Sequence, residues 1–99
     1  MSYRVETVDL AAVIIGRAIV GPNNGVTSWT VLDWPLGVVG FLRMGQSGDR
    51  IPVTEGLEWE YDPCVGAELG GLYFDLPTAA AGSLVIAAFF SGGAAALGG

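Results

Sequence analysis

Short apolar runs separated by glycine-bearing or Asp-Pro turns repeat along this chain from residue 38 to residue 90. The runs are residues 38–44, 51–53, 57–61, 72–76 and 84–90. Short strands with a turn signal about every 8 to 12 residues are typical of antiparallel sandwiches and barrels. The pattern predicts an all-β fold: a compact antiparallel β-sandwich or jelly-roll-like barrel with extended termini.

The first part of the chain fits the same fold class. Alternating side chains predict a half-exposed strand over residues 3–10, and a second strand is predicted over residues 26–34. Residues 11–20 are rich in β-branched side chains, which favours a strand or an irregular arm over the alternative, a helix. We predict one domain over residues 1–99, with an N-terminal arm at 1–20, a flexible or docked Ala/Gly-rich tail at 91–99, and its core centre in the continuous apolar run 38–44.

Charge is scarce and mostly negative. The chain has 99 residues, no histidine, four Lys and Arg residues against ten Asp and Glu residues, and a net charge of −6. All four cations are arginines, and their scatter argues against direct nucleic-acid binding, which needs clustered positive charge. Charged residues make up 14% of the chain, against about 25% in average soluble domains. This favours a subunit whose apolar surface is buried in an assembly over a stable, glycine-rich free domain.

The composition also restricts chemistry. Without histidine there is no Cys-His nucleophile pair and no imidazole metal ligand, and we expect neither enzymatic activity nor a cofactor. Cys64, the single cysteine, is predicted to be a small buried hydrophobe beside a turn. The N-terminus lacks the pattern of a signal peptide, and the apolar run 84–90 is far shorter than the about 20 residues of a membrane-spanning helix. We therefore expect no membrane association.

Residues 57–62 show the clearest strand alternation. Leu57, Trp59 and Tyr61 share one face and, with Phe41, are predicted to belong to the core. The opposite face is acidic and carries Glu58, Glu60 and Asp62.

The acidic face admits three interpretations. The favoured one is a solvated strand face, or one paired with Arg43 and Arg50. A calcium site and a catalytic carboxylate pair are the alternatives, but a straight strand spreads its carboxylates apart and a short chain offers little room for a carbohydrate cleft.

Large aromatic side chains are the candidates for binding. The predicted interface residues are Trp29, Trp34, Tyr73, Phe74, Phe89 and Phe90. Aromatic side chains of this kind anchor cores and interfaces, and they could also form a stacking platform for a carbohydrate. Their placement at strand spacing favours packing.

The order of segments along the last two-thirds of the chain resembles a known class of proteins. The segments are 41–45, 49–53, 55–56, 62–64, 71–74 and 79–86. Their rhythm of strands and turns resembles small virion proteins of tailed bacteriophages, of the head decoration (cement) or spike type. The resemblance implies a compact β subunit that binds an icosahedral shell by contact, without catalysis.

These observations lead to a functional hypothesis. The resemblance implies a virion structural protein, assembled in the host cytoplasm, that stabilises a bacteriophage capsid by bridging neighbouring capsid subunits. Its partners would be the major capsid protein and copies of itself. The alternative is a receptor- or carbohydrate-binding spike or fibre module. A small cupin-like enzyme is the third candidate, and the absence of histidine counts against it.

Overall fold

A computed structural model describes residues 2–21, 26–45, 48–60 and 71–90, and these residues form eight strands and no helix. The strands are β1 (Ser2–Asp9), β2 (Ile14–Val20), β3 (Val26–Asp33), β4 (Phe41–Met44), β5 (Arg50–Pro52), β6 (Glu58–Glu60), β7 (Leu72–Leu76) and β8 (Ser83–Phe90). The predicted all-β fold is confirmed.

The strands form two sheets of four. Sheet A has the order β1-β8-β3-β6, and sheet B has the order β2-β7-β4-β5. All neighbouring strands are antiparallel, and β1 pairs with β8, β2 with β7, β3 with β6 and β4 with β5. The first strand thus pairs with the last, the second with the seventh, the third with the sixth and the fourth with the fifth. This topology is that of a jelly roll. The predicted antiparallel sandwich is confirmed.

Four loops connect the sheets at one end of the sandwich, which we call the crossover end. They comprise residues 10–13, 34–40, 53–57 and 77–82, and each joins a strand of one sheet to a strand of the other. The register places them together: β1 ends at Asp9, opposite Ser83 where β8 begins. Backbone hydrogen bonds tie the loops in pairs, with Ala80 N donating to Leu10 O at 2.8 Å and Val53 N donating to Gly40 O at 3.0 Å.

The core lies between the sheets and is centred on β7 and β8. Alternate residues of both strands are inaccessible to solvent and pack with side chains from β1, β3 and β4. Its largest fully buried members include Trp29, Phe74, Leu42, Leu72, Leu76, Leu84 and Ile86. The prediction that residues 38–44 form the core centre is wrong: residues 38–40 belong to a crossover loop, and Val39 is 62% exposed.

The N-terminal region is part of the sandwich. The predicted arm over residues 1–20 is corrected, because β1 pairs with β8 along all eight of its residues and β2 pairs with β7. Val8 is 1% exposed in the core, so β1 contributes to packing as well as to the sheet edge. The strand interpretation of residues 11–20 holds for 14–20. The predicted tail 91–99 lies outside the described residues.

Candidate interaction surfaces

The crossover end presents an apolar surface. Among the residues of its four loops, Glu55 is the one that carries a charge. Three large aliphatic side chains are exposed there, Leu36 at 101%, Val39 at 62% and Val13 at 54%. Loops of soluble proteins are usually polar, so an end built this way is typical of a surface that another molecule covers.

Trp34 fixes the backbone beneath this surface. Its indole N–H donates to Val38 O at 3.0 Å, and its ring meets the Phe74 ring edge to face at 5.9 Å between centroids. Gly40 passes directly under the indole, since a Cβ at this position would lie 2.5 Å from a Trp34 ring carbon. Leu36 and Val39 therefore project from a loop that is anchored in the core.

Shallow depressions lie on both sides of this loop. One, of about 200 Å³, lies between Trp34, Leu36 and Val53, and the other, of about 260 Å³, lies between Val39 and Ala79. The first is also lined by Thr54 and Glu55 and the second by Thr78, so each offers few polar side chains to orient a small molecule. The surface suits contact with a larger apolar partner better than capture of a small ligand.

The outer face of sheet B carries a different feature, a compact charged cluster around Asp75. Asp75 is the fourth of the five residues of β7 and is 6% exposed. Arg43 contacts both of its oxygens, with Nε to Oδ2 at 2.7 Å and an Nη to Oδ1 at 3.2 Å. Arg50 adds a longer ion pair at 3.9 Å and lies over the Phe41 ring, 5.5 Å from its centroid.

A β-bulge in β2 completes the cluster. The register pairs Ile14 with Leu76 and Arg17 with Phe74, so Ile15 and Gly16 lie opposite Asp75. Gly16 has a φ of 64°, a conformation that glycine adopts without strain, and its N–H donates to Asp75 Oδ1 at 2.7 Å. The bulge thus directs a backbone donor at the carboxylate and turns Ile15 outward, where it is 86% exposed.

The surroundings of Asp75 stabilise its charged form. Burial alone would raise the pKa of this carboxyl, but hydrogen bonds from Arg43 and Gly16, together with the positive charges of Arg43 and Arg50, outweigh burial. The net effect holds the pKa of Asp75 below its ordinary value. Its partners leave it fully hydrogen-bonded and ionised, so the cluster serves to hold β2, β4, β5 and β7 together.

This arrangement corrects one sequence interpretation, the pairing of Arg43 and Arg50 with the acidic face of residues 58–62. Both arginines lie on Asp75 in the other sheet. Glu58 and Glu60 are exposed on β6, where they lie opposite Thr30 and Ser28. Asp62 lies outside the described residues. Over residues 2–21, 26–45, 48–60 and 71–90, no group of three or more potential ligands could hold a metal ion.

Four of the predicted interface aromatics are buried within the subunit, which corrects that prediction. Trp29 and Phe74 are 0% exposed, Tyr73 is 5% and Trp34 is 7% exposed. Trp29, Trp34 and Phe74 belong to the core between the sheets, whereas Tyr73 is buried on the outer face of sheet B, the face that also carries Asp75. Sequence spacing shows which residues share a face of a strand. It does not show whether other parts of the same subunit bury that face.

The other two predicted interface aromatics, Phe89 and Phe90, are half-buried at the end of β8. Phe89 lies opposite Tyr3, with 5.9 Å between ring centroids. Phe90 packs against the core, and the Arg4 guanidinium lies 5.9 Å from its ring centroid.

The predicted core residues also fall in different places. Leu57 is half-buried and packs against the core, while Phe41 is half-buried on the outer face of sheet B. The core prediction for Trp59 is wrong, because this side chain is 43% exposed although it lies opposite the fully buried Trp29. β6 is a short edge strand, so little of the molecule extends over Trp59. Tyr61 and Cys64 lie outside the described residues.

Sequence reasoning missed the residues that define both surfaces. Leu36 follows Pro35 and precedes Gly37, a turn signal that could have indicated exposure. Asp75 interrupts the apolar run 72–76, and a lone carboxylate in a buried strand could have indicated an ion pair. Its partner could not be identified, since Arg43 lies 32 residues away in sequence.

Comparisons with protein-family models, with curated proteins and with solved structures gave no match for this chain. Within the part of the chain that the structure describes, no helix is long and apolar enough to cross a membrane.

Proposed function

We propose that the protein is a non-catalytic structural subunit of a bacteriophage virion, which attaches to the capsid through its crossover end and stabilises the shell. The carrying observation is the apolar character of that end, with Leu36 and Val39 projecting from an anchored loop. Attachment by contact needs such a surface and no reactive group. The shell would gain contact area that must be broken before neighbouring capsid subunits separate.

Two further features support the proposal. Jelly rolls are common in viral structural proteins and in lectins, so the strand order agrees with a virion role by analogy of fold. In addition, the arginines make contacts within the subunit, at Ile19 for Arg4, Glu6 for Arg17 and Asp75 for Arg43. The described surface therefore offers a partner apolar area more than positive charge.

The test uses undecorated shells assembled from the major capsid protein of the same genome. Purified protein is mixed with the shells, which are sedimented and assayed for bound subunit. Leu36→Ser should lower occupancy because it removes the most exposed apolar side chain of the crossover end.

Ile15→Ser is the matched control. Ile15 is 86% exposed but lies on the outer face of sheet B, so its loss should leave occupancy unchanged. Equal loss for both variants would contradict attachment through the crossover end. Failure of the intact protein to bind any shell would overturn the capsid role.

A second candidate function, carbohydrate binding by a spike or fibre module, is favoured by the exposure of Trp59. Its side chain is 43% exposed on β6, while Glu58 and Glu60, which precede and follow it, project from the opposite face of this strand. An exposed aromatic ring is suited to stacking against a sugar.

Titration with bacterial surface glycans, followed by tryptophan fluorescence, tests this candidate. Binding that Trp59→Ala abolishes and Leu36→Ser preserves would place carbohydrate recognition ahead of capsid attachment. Unchanged fluorescence with every glycan would contradict the carbohydrate-binding function.

A further inference from the structure

The four sheet edges of the described strands differ in how they are protected against pairing with another chain. β5 is three residues long and ends in Pro52, and β6 is three residues long and carries Glu58 and Glu60. β2 is interrupted by register shifts. Short length, proline, charge and bulges all discourage strand addition. β1 differs, since it runs over eight residues with an unbroken register against β8.

We infer that β1 is a self-association surface, on which β1 of a second copy adds antiparallel and joins the two copies of sheet A. A two-fold axis through Val5 places Val5 opposite its own copy, Arg4 opposite Glu6 and Tyr3 opposite Thr7. Each opposed pair lies on one face of the sheet, as antiparallel pairing requires. The interface would be isologous, the usual form of a homodimer.

Charge selects this register. Centring the pair on Val5 sets Arg4 across from Glu6 twice, and oppositely charged cross-strand pairs are stabilising. Centring it on Arg4 sets Arg4 across from Arg4, and centring it on Glu6 sets Glu6 across from Glu6. Like charges directly opposite are destabilising, so the two nearest alternatives are disfavoured. The same two residues also discourage pairing with strands of other sequence.

The exposure and the existing contacts of the β1 side chains are compatible with this pairing. Tyr3 is 67% exposed and Val5 is 48% exposed on the outer face of sheet A, where both are available to the second copy. Arg4 donates one of its N–H groups to Ile19 O, and Glu6 accepts from Arg17 through Oε2 at 3.1 Å. A guanidinium has five N–H donors and a carboxylate has two oxygens, so these contacts within the subunit leave capacity for a partner.

The inference does not depend on capsid attachment, and its test uses the purified protein alone. Sedimentation over a wide concentration range should show a monomer–dimer equilibrium. Arg4→Glu and Glu6→Arg should each weaken the dimer about tenfold or more, because each opposes like charges in two places. An equimolar mixture of these variants should recover association, since the strand with two acidic side chains then pairs with the strand that has two basic ones.

The mixture guards against a folding artefact, because two misfolded variants would not restore each other. Glu58→Arg on the opposite edge of sheet A is the matched control and should leave the dimer unchanged. A monomer at all concentrations, or a mixture that associates no better than its components, would overturn the inference.

Disulfide trapping tests the register. In a Cys64→Ser background, Val5→Cys should form a disulfide-linked dimer under mild oxidation, because opposed Cα atoms lie within the about 4.4–6.8 Å that a disulfide spans. Thr7→Cys should not link to itself, since the two copies of residue 7 lie four residues apart along the ladder, about 13 Å. Efficient linkage of Thr7→Cys, or none for Val5→Cys, would contradict the Val5-centred register.

Discussion

The crossover end and the outer face of sheet B use charge in opposite ways. At the crossover end, aliphatic side chains such as Leu36 are exposed and the loops carry a single charge. On sheet B, the carboxylate of Asp75 is buried and is held by Arg43 and Gly16. In this subunit one buried carboxylate holds the strands of sheet B together, whereas apolar side chains are exposed to solvent at the crossover end.

Removing the Asp75 carboxylate tests this comparison most strongly. Asp75→Ala should lower the free energy of unfolding by about 3 to 5 kcal/mol, because it leaves the guanidinium of Arg43 without its buried partner. Urea unfolding followed by circular dichroism measures the change. Glu6→Ala, which breaks an exposed ion pair to Arg17, should cost about 0 to 1 kcal/mol. Similar small costs at both sites would show that the cluster contributes little.

Acid should remove the contribution of Asp75. Because the pKa of this carboxyl is lower in the folded protein than the unfolded value of about 3.9, its stabilisation is complete above about pH 5 and is lost as pH falls through the folded pKa. The difference in unfolding free energy between the wild type and Asp75→Asn should therefore be constant near neutral pH and narrow in acid. A difference that widens below about pH 4 would contradict the direction of the pKa shift.

A substitution at Gly40 tests whether the contact between Gly40 and the Trp34 ring holds the loop of residues 34–40 rigidly. Gly40→Ala would bring a methyl group within 2.5 Å of the Trp34 ring, so we expect a cost of about 1 to 3 kcal/mol from overpacking. Near-ultraviolet circular dichroism should also change as the indole moves. Thr78→Ala, at an exposed position of the same end, serves as the control and should leave both measurements unchanged. An unchanged spectrum and stability for Gly40→Ala would show that the loop yields freely.

Leu36 should have the smallest effect on stability. Leu36→Ser changes a fully exposed side chain, so the free energy of unfolding should stay within about 0.5 kcal/mol of the wild type. Thermal unfolding checks this expectation, and the same variant is the one expected to lose shell attachment. A large destabilisation would mean that Leu36 packs within the subunit, and the comparison between the two regions would no longer hold.

The sequence predicted strands well where turn signals bounded them closely. β7 matches its predicted run over residues 72–76, and β8 matches to within one residue. The prediction for residues 38–44 was wrong because an apolar run can be either a buried strand or an exposed loop, and its composition does not distinguish the two. Glycines at 37 and 40 flank Val38 and Val39, and in the structure the loop, rather than the strand, includes all four.

The burial of individual side chains and the choice of ion-pair partners depended on tertiary contacts, which the sequence pattern did not reveal. Trp59 and Trp29 lie opposite each other, but β3 is central in sheet A whereas β6 is at its edge, and alternation along one strand does not reveal that difference. The Asp75 cluster likewise depends on the pairing of β7 with β2 and β4, which are both far from β7 in sequence. Local patterns thus predicted elements and faces, whereas burial and ion-pair partners followed from strand order.

The β1–β8 ladder also determines how the sandwich would respond to mechanical load. Ser2 lies opposite Phe90 at one end of the ladder, so pulling these two residues apart would stretch one pair at a time and peel the strands from that end. Pulling Asp9 and Phe90 apart, along the strands, would instead shear all pairs together. We therefore expect a small force to separate the strands when Ser2 and Phe90 are pulled apart. A much larger force should be needed when tension acts between the crossover end and the opposite end.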